Sequence, residues 1–159
     1  MSNLGVQGEE EDQKTFLKNW FNLAAIKYRT LSEELAAVNK GDWLFEGEHL
    51  HGWYFVFRAT DRFRNQHSRD PEPADYDILK GLVDTLLQEN QISKDEFEVQ
   101  EALIREMCRG ANSHIVTVAS VVGGIASQEI IKLLTRQFTP LQNTLLFEGN
   151  RAHGAVAEF

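Results

Sequence analysis

The sequence predicts a mainly α protein: a region of four to five helices, followed by a buried helix and a terminal β pair. Three observations carry that expectation. From Gln13 to Val38 apolar residues recur at spacings of three and four, the period of one helix face, and further helical stretches follow up to Gly110. From Ile115 to Ala126 the chain is apolar almost all the way round, then turns amphipathic from Ser127 to Arg136; a helix without a polar face must be covered on several sides. The closing stretches NTLLFEG and GAVAEF read as short strands joined by a turn at Gly149 and Asn150. A two-stranded hairpin is marginal in water and offers too little cover for so apolar a helix. Residues 111–159 therefore read as the last piece of a larger α/β sheet domain. The other strands would come from an upstream part of the same protein or from a partner, so the chain is expected to be a fragment.

Composition narrows the classes. A chain of 159 residues, 42% hydrophobic and 25% charged, fits one ordinary globular domain with an appendage. Half of the net charge of −8 sits in Glu9, Glu10, Glu11 and Asp12. The remainder is mildly acidic, which excludes nucleic acid as a partner because phosphate binding needs a basic surface. Cys108 is alone, so no intrachain disulfide can form and a reducing compartment is expected. The acidic N-terminus is neither a secretory signal nor a transit peptide. These features place the protein in the cytoplasm, with the nucleus as a second compartment.

Residues 1–12 read as a disordered acidic lead-in, too poor in apolar residues to bury anything. Leu17, Trp20, Phe21, Ala24, Tyr28, Leu31 and Leu35 then mark one amphipathic helix, or two with a break near Asn19 and Asn22. GDWLFEGEHL is a connecting loop with aromatic anchors. In HGWYFVFRATDRFRNQH, Trp53, Val56, Phe57 and Phe63 share a face, while Arg58 and Asp61 stand three apart and can pair. SRDPEPAD is a loop, because Pro71 and Pro73 push their predecessors out of the helical region. Ile78, Leu79, Leu82, Val83 and Leu86 form the stripe of the next helix. Ser93 with Glu96 is a capping-box signature for a helix running through Met107, with Gly110 as its stop. Ser113 can cap the apolar helix, and Pro140 lies past its end.

Within that helix Gly123 and Gly124 each cost ~1 kcal/mol relative to Ala, which close approach of another backbone would offset. The uninterrupted apolar run falls short of the ~20 residues that cross a bilayer, so no membrane span is expected. No Gly-Lys-Ser/Thr follows the glycine pair, so it is not a phosphate loop. His49 and His51, beside Glu46 and Glu48, lack the further ligands of a metal site. Cys108 falls on the apolar side of its helix, where a structural role outweighs a nucleophilic one. No acid/base pair, triad or phosphate cradle is visible, and no catalytic, cofactor or metal residue is assigned. The partner-interface candidates are Arg58, Asp61, Arg62, Gly123, Gly124, Gln128 and Glu129. For Asp61 and Arg62 local helix pairing is the simpler account, and for Gln128 and Glu129 simple solvation.

Three stretches together resemble the regulatory subunit of the neddylation activating enzyme, within the ThiF-type ubiquitin-activating superfamily. They are YFVFRATDRFRNQHSRDP, IREMCRGANSHIVTVASVVGGIASQEIIKLLTRQF and NTLLFEGNRAHGAVAEF. KYRTLSEEL also matches, and the resemblance runs from about Leu23 to the C-terminus. Gly123, Gly124, Gln128, Glu129, Ile131 and Lys132 match a pattern shared across ThiF-type proteins. The run Arg58 to Phe63, with Thr60 at its variable position, points to the neddylation subunit.

The resemblance implies that residues 13–110 form a catalytic-cysteine-type helical domain without the cysteine function, Cys108 matching a helix cysteine that is not the nucleophile. It implies that residues 111–159 complete a ThiF-type, Rossmann-like adenylation fold. It also implies a heterodimer in which a catalytic subunit supplies the site for ATP and magnesium and the thioester cysteine, and through which the ubiquitin-like modifier is reached. The alternatives are a subunit of a SUMO or ubiquitin activating enzyme, or a stand-alone helical interaction module.

Overall fold

The computed structural model describes residues 10–22, 28, 30–38, 48–92, 97–141 and 144–157. Its element order is α1 (Glu10–Asn19), a 3-10 turn (Trp20–Asn22), α2 (Leu31–Val38), α3 (Glu48–His67), a 3-10 turn (Pro73–Asp75), α4 (Tyr76–Glu89), α5 (Glu101–Gly110), α6 (Val116–Thr135), β1 (Thr144–Glu148) and β2 (His153–Ala157). The protein is thus mainly helical with a terminal antiparallel hairpin.

α1 opens at Glu10, inside the stretch expected to be a disordered lead-in. Glu10, Glu11 and Asp12 form its first turn, where the helix dipole favours carboxylates, and Lys14 pairs with Glu10 at 2.7 Å. The 3-10 turn at Trp20–Asn22 is the break expected near Asn19 and Asn22. α2 starts from a capping box that the sequence reading passed over. The Thr30 amide donates to Glu33 Oε2 at 2.8 Å, and the Glu33 amide donates to Thr30 Oγ1 at 3.3 Å.

α3 is the centre of the core. Leu50, Tyr54, Phe55, Val56, Ala59 and Phe63 are buried on it, facing Leu79, Val83, Leu86 and Leu87 of α4 and Ile104, Met107 and Cys108 of α5. Phe57, expected on the core face, is 45% exposed. Two residues beyond Phe55, it turns to the other side of an α-helix. Ile78 departs from the α4 stripe for the same kind of reason: it lies one residue before Leu79, which is fully buried.

Between α3 and α4, Arg69 makes a fork to the Asp75 carboxylate at 2.6 and 2.8 Å, and the Glu72 amide donates to the same group at 2.8 Å. Arg69, then the Glu72 amide, hold the Asp75 carboxyl down to about 2. α4 ends in a Schellman motif: the Gln91 amide donates to the Gln88 carbonyl and the Ile92 amide to the Leu87 carbonyl, with Gln91 at a positive φ of 55°.

The Ser93–Glu96 capping box lies outside the described residues, and α5 begins only at Glu101. Residues 97–100 are not helical. Alternation explains this: Val99 is buried and Phe97 packs against the Phe55 ring at 6.0 Å, while Glu98 and Gln100 face out. A helix there could not turn both apolar residues inward and both polar ones outward. α5 ends at Gly110 as expected.

α6 forms at the expected place, but none of its residues is buried. The expectation of a buried helix is corrected in that sense: among the described residues it is reached at the hairpin end and by the segment at Leu141, which leave it open. A Cβ at Gly149 would sit 2.6 Å from Val118 Cγ2. Ile115, not Ser113, is the residue at the N-cap, and no side chain caps it; the Ser113 amide instead donates to the Gly110 carbonyl. Arg136, at φ 54°, closes the helix ahead of Pro140. With 20 residues, α6 is long and apolar enough to cross a bilayer by length and composition alone, more than its uninterrupted apolar run suggested. β1 and β2 pair in the register Thr144↔Ala157 to Glu148↔His153. They form a two-stranded sheet, and Leu146 and Ala155 pack against the helical core.

Two outcomes follow. Phe63→Ala should lower the unfolding free energy by ~3–5 kcal/mol in urea titrations, because it empties a fully enclosed ring site. Asp75 has a folded-state pKa of about 2 against an ordinary value of 3.8. Its contribution is complete above the ordinary value and lost as pH falls towards the folded one. The stability gap between wild type and Asp75→Asn should therefore close between about pH 4 and pH 2; a constant gap would refute the pairing.

Candidate partner-docking surface

The candidate residues fall into two groups that the fold keeps apart. Arg58, Asp61 and Arg62 lie on α3 and are engaged within the chain. Arg58 reaches Glu34 of α2 and Asp61, each at 3.5 Å, and its guanidinium lies 5.0 Å from the Tyr54 ring centroid. Asp61 also meets Arg64 at 3.6 Å, and Arg62 pairs with Glu89 of α4 at 2.6 Å. The Arg58–Asp61 pairing expected along the helix is present. These side chains brace α3 against its neighbours rather than forming an open charged patch.

The second group lies on α6. Among the described residues, a Cβ at Gly123 or Gly124 would meet nothing within 4 Å, and none of them makes the close backbone approach expected there. Ser127 Oγ donates to the Gly123 carbonyl at 2.8 Å, and Gln128 is exposed. Glu129 does more than face solvent. Its carboxylate pairs with Lys132 at 2.7 Å and accepts the Leu141 amide at 2.7 Å, tying the segment after α6 back to the helix. Lys132, then the Leu141 amide, depress its pKa.

Around these residues lies an apolar surface. Val121, Val122, Ile130, Ile131, Leu133 and Leu134 of α6 are all exposed, Leu134 to 78%. Single exposed apolar residues are ordinary, but these are spread around most of the helix, and so much apolar exposure on one element points to an interaction surface. An open groove of about 400 Å³ separates its N-terminal end from α3, lined by Trp53, Phe57, Ile115, Val118 and Phe147.

The other candidates resolve simply. His51 stands edge-on to the Phe97 ring at 6.1 Å. Among the described residues no cluster of His, Cys, Asp and Glu could hold a metal ion. Cys108 is buried, and that burial raises its thiol pKa, the opposite of what a thioester nucleophile requires. The residue most easily overlooked is Glu34, one of two adjacent glutamates in a polar run yet only 3% exposed. Only the helical period from Leu31 and Leu35, had it been followed to neighbouring positions, offered a signal for it.

No protein-family model matches the chain. Individual relatives do. It is 35% identical over 147 residues to the NEDD8-activating enzyme E1 regulatory subunit AXL of Arabidopsis thaliana, covering 86% of this chain and 28% of the relative. It is 34% identical over 149 residues to the NEDD8-activating enzyme E1 regulatory subunit of Danio rerio, covering 87% of this chain and 27% of the relative. This chain is a homologue of part of the NEDD8-activating enzyme regulatory subunits. It spans little more than a quarter of their length. A more distant match, 30% identical over 146 residues, is ubiquitin-like modifier-activating enzyme 7 of Mus musculus, covering 91% of this chain and 14% of that protein. The resemblance read from the Arg58–Phe63 run and the α6 segment is therefore supported across most of the chain.

The open face gives a direct expectation. The isolated chain should bind ANS and self-associate, and Ile130→Glu with Leu134→Glu should reduce both. The melting of the α3–α5 core should stay within about 0.5 kcal/mol of wild type, as for surface changes elsewhere. Strong destabilisation of that core would place α6 inside it.

Proposed function

We propose that this chain is the C-terminal part of the regulatory subunit of a heterodimeric activating enzyme for a ubiquitin-like modifier in neddylation. Residues 13–110 belong to a catalytic-cysteine-type domain that lacks the cysteine function. Residues 111–159 complete a ThiF-type adenylation-like fold and help to hold the catalytic subunit. The chain performs neither adenylation nor thioester formation. It supports both on the catalytic subunit, which binds ATP and magnesium and reaches the modifier within the complex, in the cytoplasm and the nucleus.

The observation that carries this reading is the homology together with the uncovered face of α6. A 20-residue helix with its apolar residues exposed and a glycine pair facing open space suits a surface completed by more protein. Its length alone would also suit a bilayer. Against that, Glu129 and Lys132 form an ion pair within the helix, and the regulatory-subunit relatives span the same stretch. The buried Cys108 supports the non-catalytic assignment. The second reading is a subunit of a related activating enzyme, for SUMO or ubiquitin; the match to ubiquitin-like modifier-activating enzyme 7 of Mus musculus supports only an activating enzyme for some ubiquitin-like modifier.

Immunoprecipitation from native material with an antibody against residues 143–159 tests the proposal. The catalytic subunit of a NEDD8-activating enzyme should co-purify, and the complex should charge NEDD8 in preference to SUMO or ubiquitin. Cys108→Ala should leave thioester formation within about twofold of wild type. Absence of the catalytic subunit would overturn the assignment, and preference for another modifier would establish the second reading.

A further inference from the structure

We propose that Glu34 is a latch that fixes α6 and the β1–β2 hairpin against the helical unit, and that its release lets the two parts reorient. The carboxylate is 3% exposed and is shared across the seam. One oxygen accepts the Thr144 hydroxyl from β1, and the other faces Arg58 Nη2 of α3 at 3.5 Å. Three elements, up to 110 positions apart in sequence, thus meet at one side chain. Arg58 is itself oriented by Asp61 and the Tyr54 ring, so Glu34 meets a pre-positioned cation.

Among the described residues the rest of the seam is thin. All five β1 residues are only half-buried, and from the hairpin Leu146 and Ala155 pack on the helical core. The groove of about 400 Å³ holds the N-terminal end of α6 away from α3. The C-terminal part, by contrast, is tied internally. Glu129 holds the Leu141 amide, and Gly149 sits tightly on Val118. It can therefore move as one piece.

Hydrogen bonds to an ionised group are stronger than neutral ones, so this contact dominates a seam with little apolar burial. Its loss strands no charge. Glu34 lies in the first turn of α2, where the helix dipole and water favour a carboxylate. A strong closed contact and an acceptable open one make a two-state element. The latch stands on this geometry alone, whichever modifier the enzyme serves.

Distance measurements between spin labels on the full chain test it. Cysteines at Gln88 of α4 and Ala126 of α6, in a Cys108→Ala background, report the separation of the two parts. The parent should give one narrow distance distribution. Thr144→Val and Glu34→Ala should each enrich a second distance population by about tenfold or more, and Glu34→Gln should fall between them and the parent. The double variant Glu34→Ala/Thr144→Val should go no further than Glu34→Ala alone. Thermal melting of the helical unit should change little in Thr144→Val. Unchanged distances in Thr144→Val and Glu34→Ala, or additive effects in the double variant, would overturn the latch. So would a loss of helical-unit melting that accounts for the change.

Discussion

Leu50, Tyr54, Phe55, Val56, Ala59 and Phe63 occupy so much of the circumference of α3 that the helix must be covered by more than one neighbour. That requirement organises the helical unit. α4 supplies Leu79, Val83 and Leu86, and α5 supplies Ile104 and Met107. Covering α3 also constrains the connections. Residues 97–100 must be extended to deliver Phe97 and Val99 to the core, and the Arg69–Asp75 fork must turn the chain sharply after α3. Gly52 serves the same end, since a Cβ there would sit 2.6 Å from Leu103 Cδ1 of α5.

The contacts change character away from that core. Inside the helical unit the contacts are apolar, and the ion pairs Arg62–Glu89 and Lys80–Glu101 sit at its exposed margins, where solvent screens them and each contributes little. At the junction with the C-terminal part the balance reverses. Apolar burial is partial, and a nearly inaccessible carboxylate takes its place. Apolar surfaces of this size tolerate small shifts with little penalty, whereas a buried hydrogen bond depends on distance and angle. A polar junction therefore sets orientation more sharply than it sets stability.

How much of this was legible depended on the range of the interaction. Local signals read well: the break before Asn22, the stop at Gly110, the Arg58–Asp61 pair, the hairpin turn and the amphipathic α4. Phe57 and Ile78 failed because a helical stripe fixes which residues share a face, not where its edges fall. The onset of α5 was misplaced because a capping-box signature is local, while the inward turn of Phe97 and Val99 answers a demand made by α3. Glu34 was illegible for the same reason, its partners lying 24 and 110 residues away. The docking residues on α3 looked available in sequence because Glu34, which Arg58 also reaches, and Glu89, which Arg62 pairs with, lie on other helices.

The apolar helix is where sequence and structure differ most instructively. Its composition demands cover, and the described residues do not supply it. Glycine at 123 and 124 costs ~1 kcal/mol each relative to Ala, and Ala would meet nothing at either position here. Nothing among the described residues offsets that cost. The glycines become favourable only where another backbone comes closer than a Cβ would permit. The same holds for Leu134 and Ile130, whose exposure has no local benefit. Both features suit a helix covered by further protein, as the proposed place of α6 in an adenylation-type fold requires.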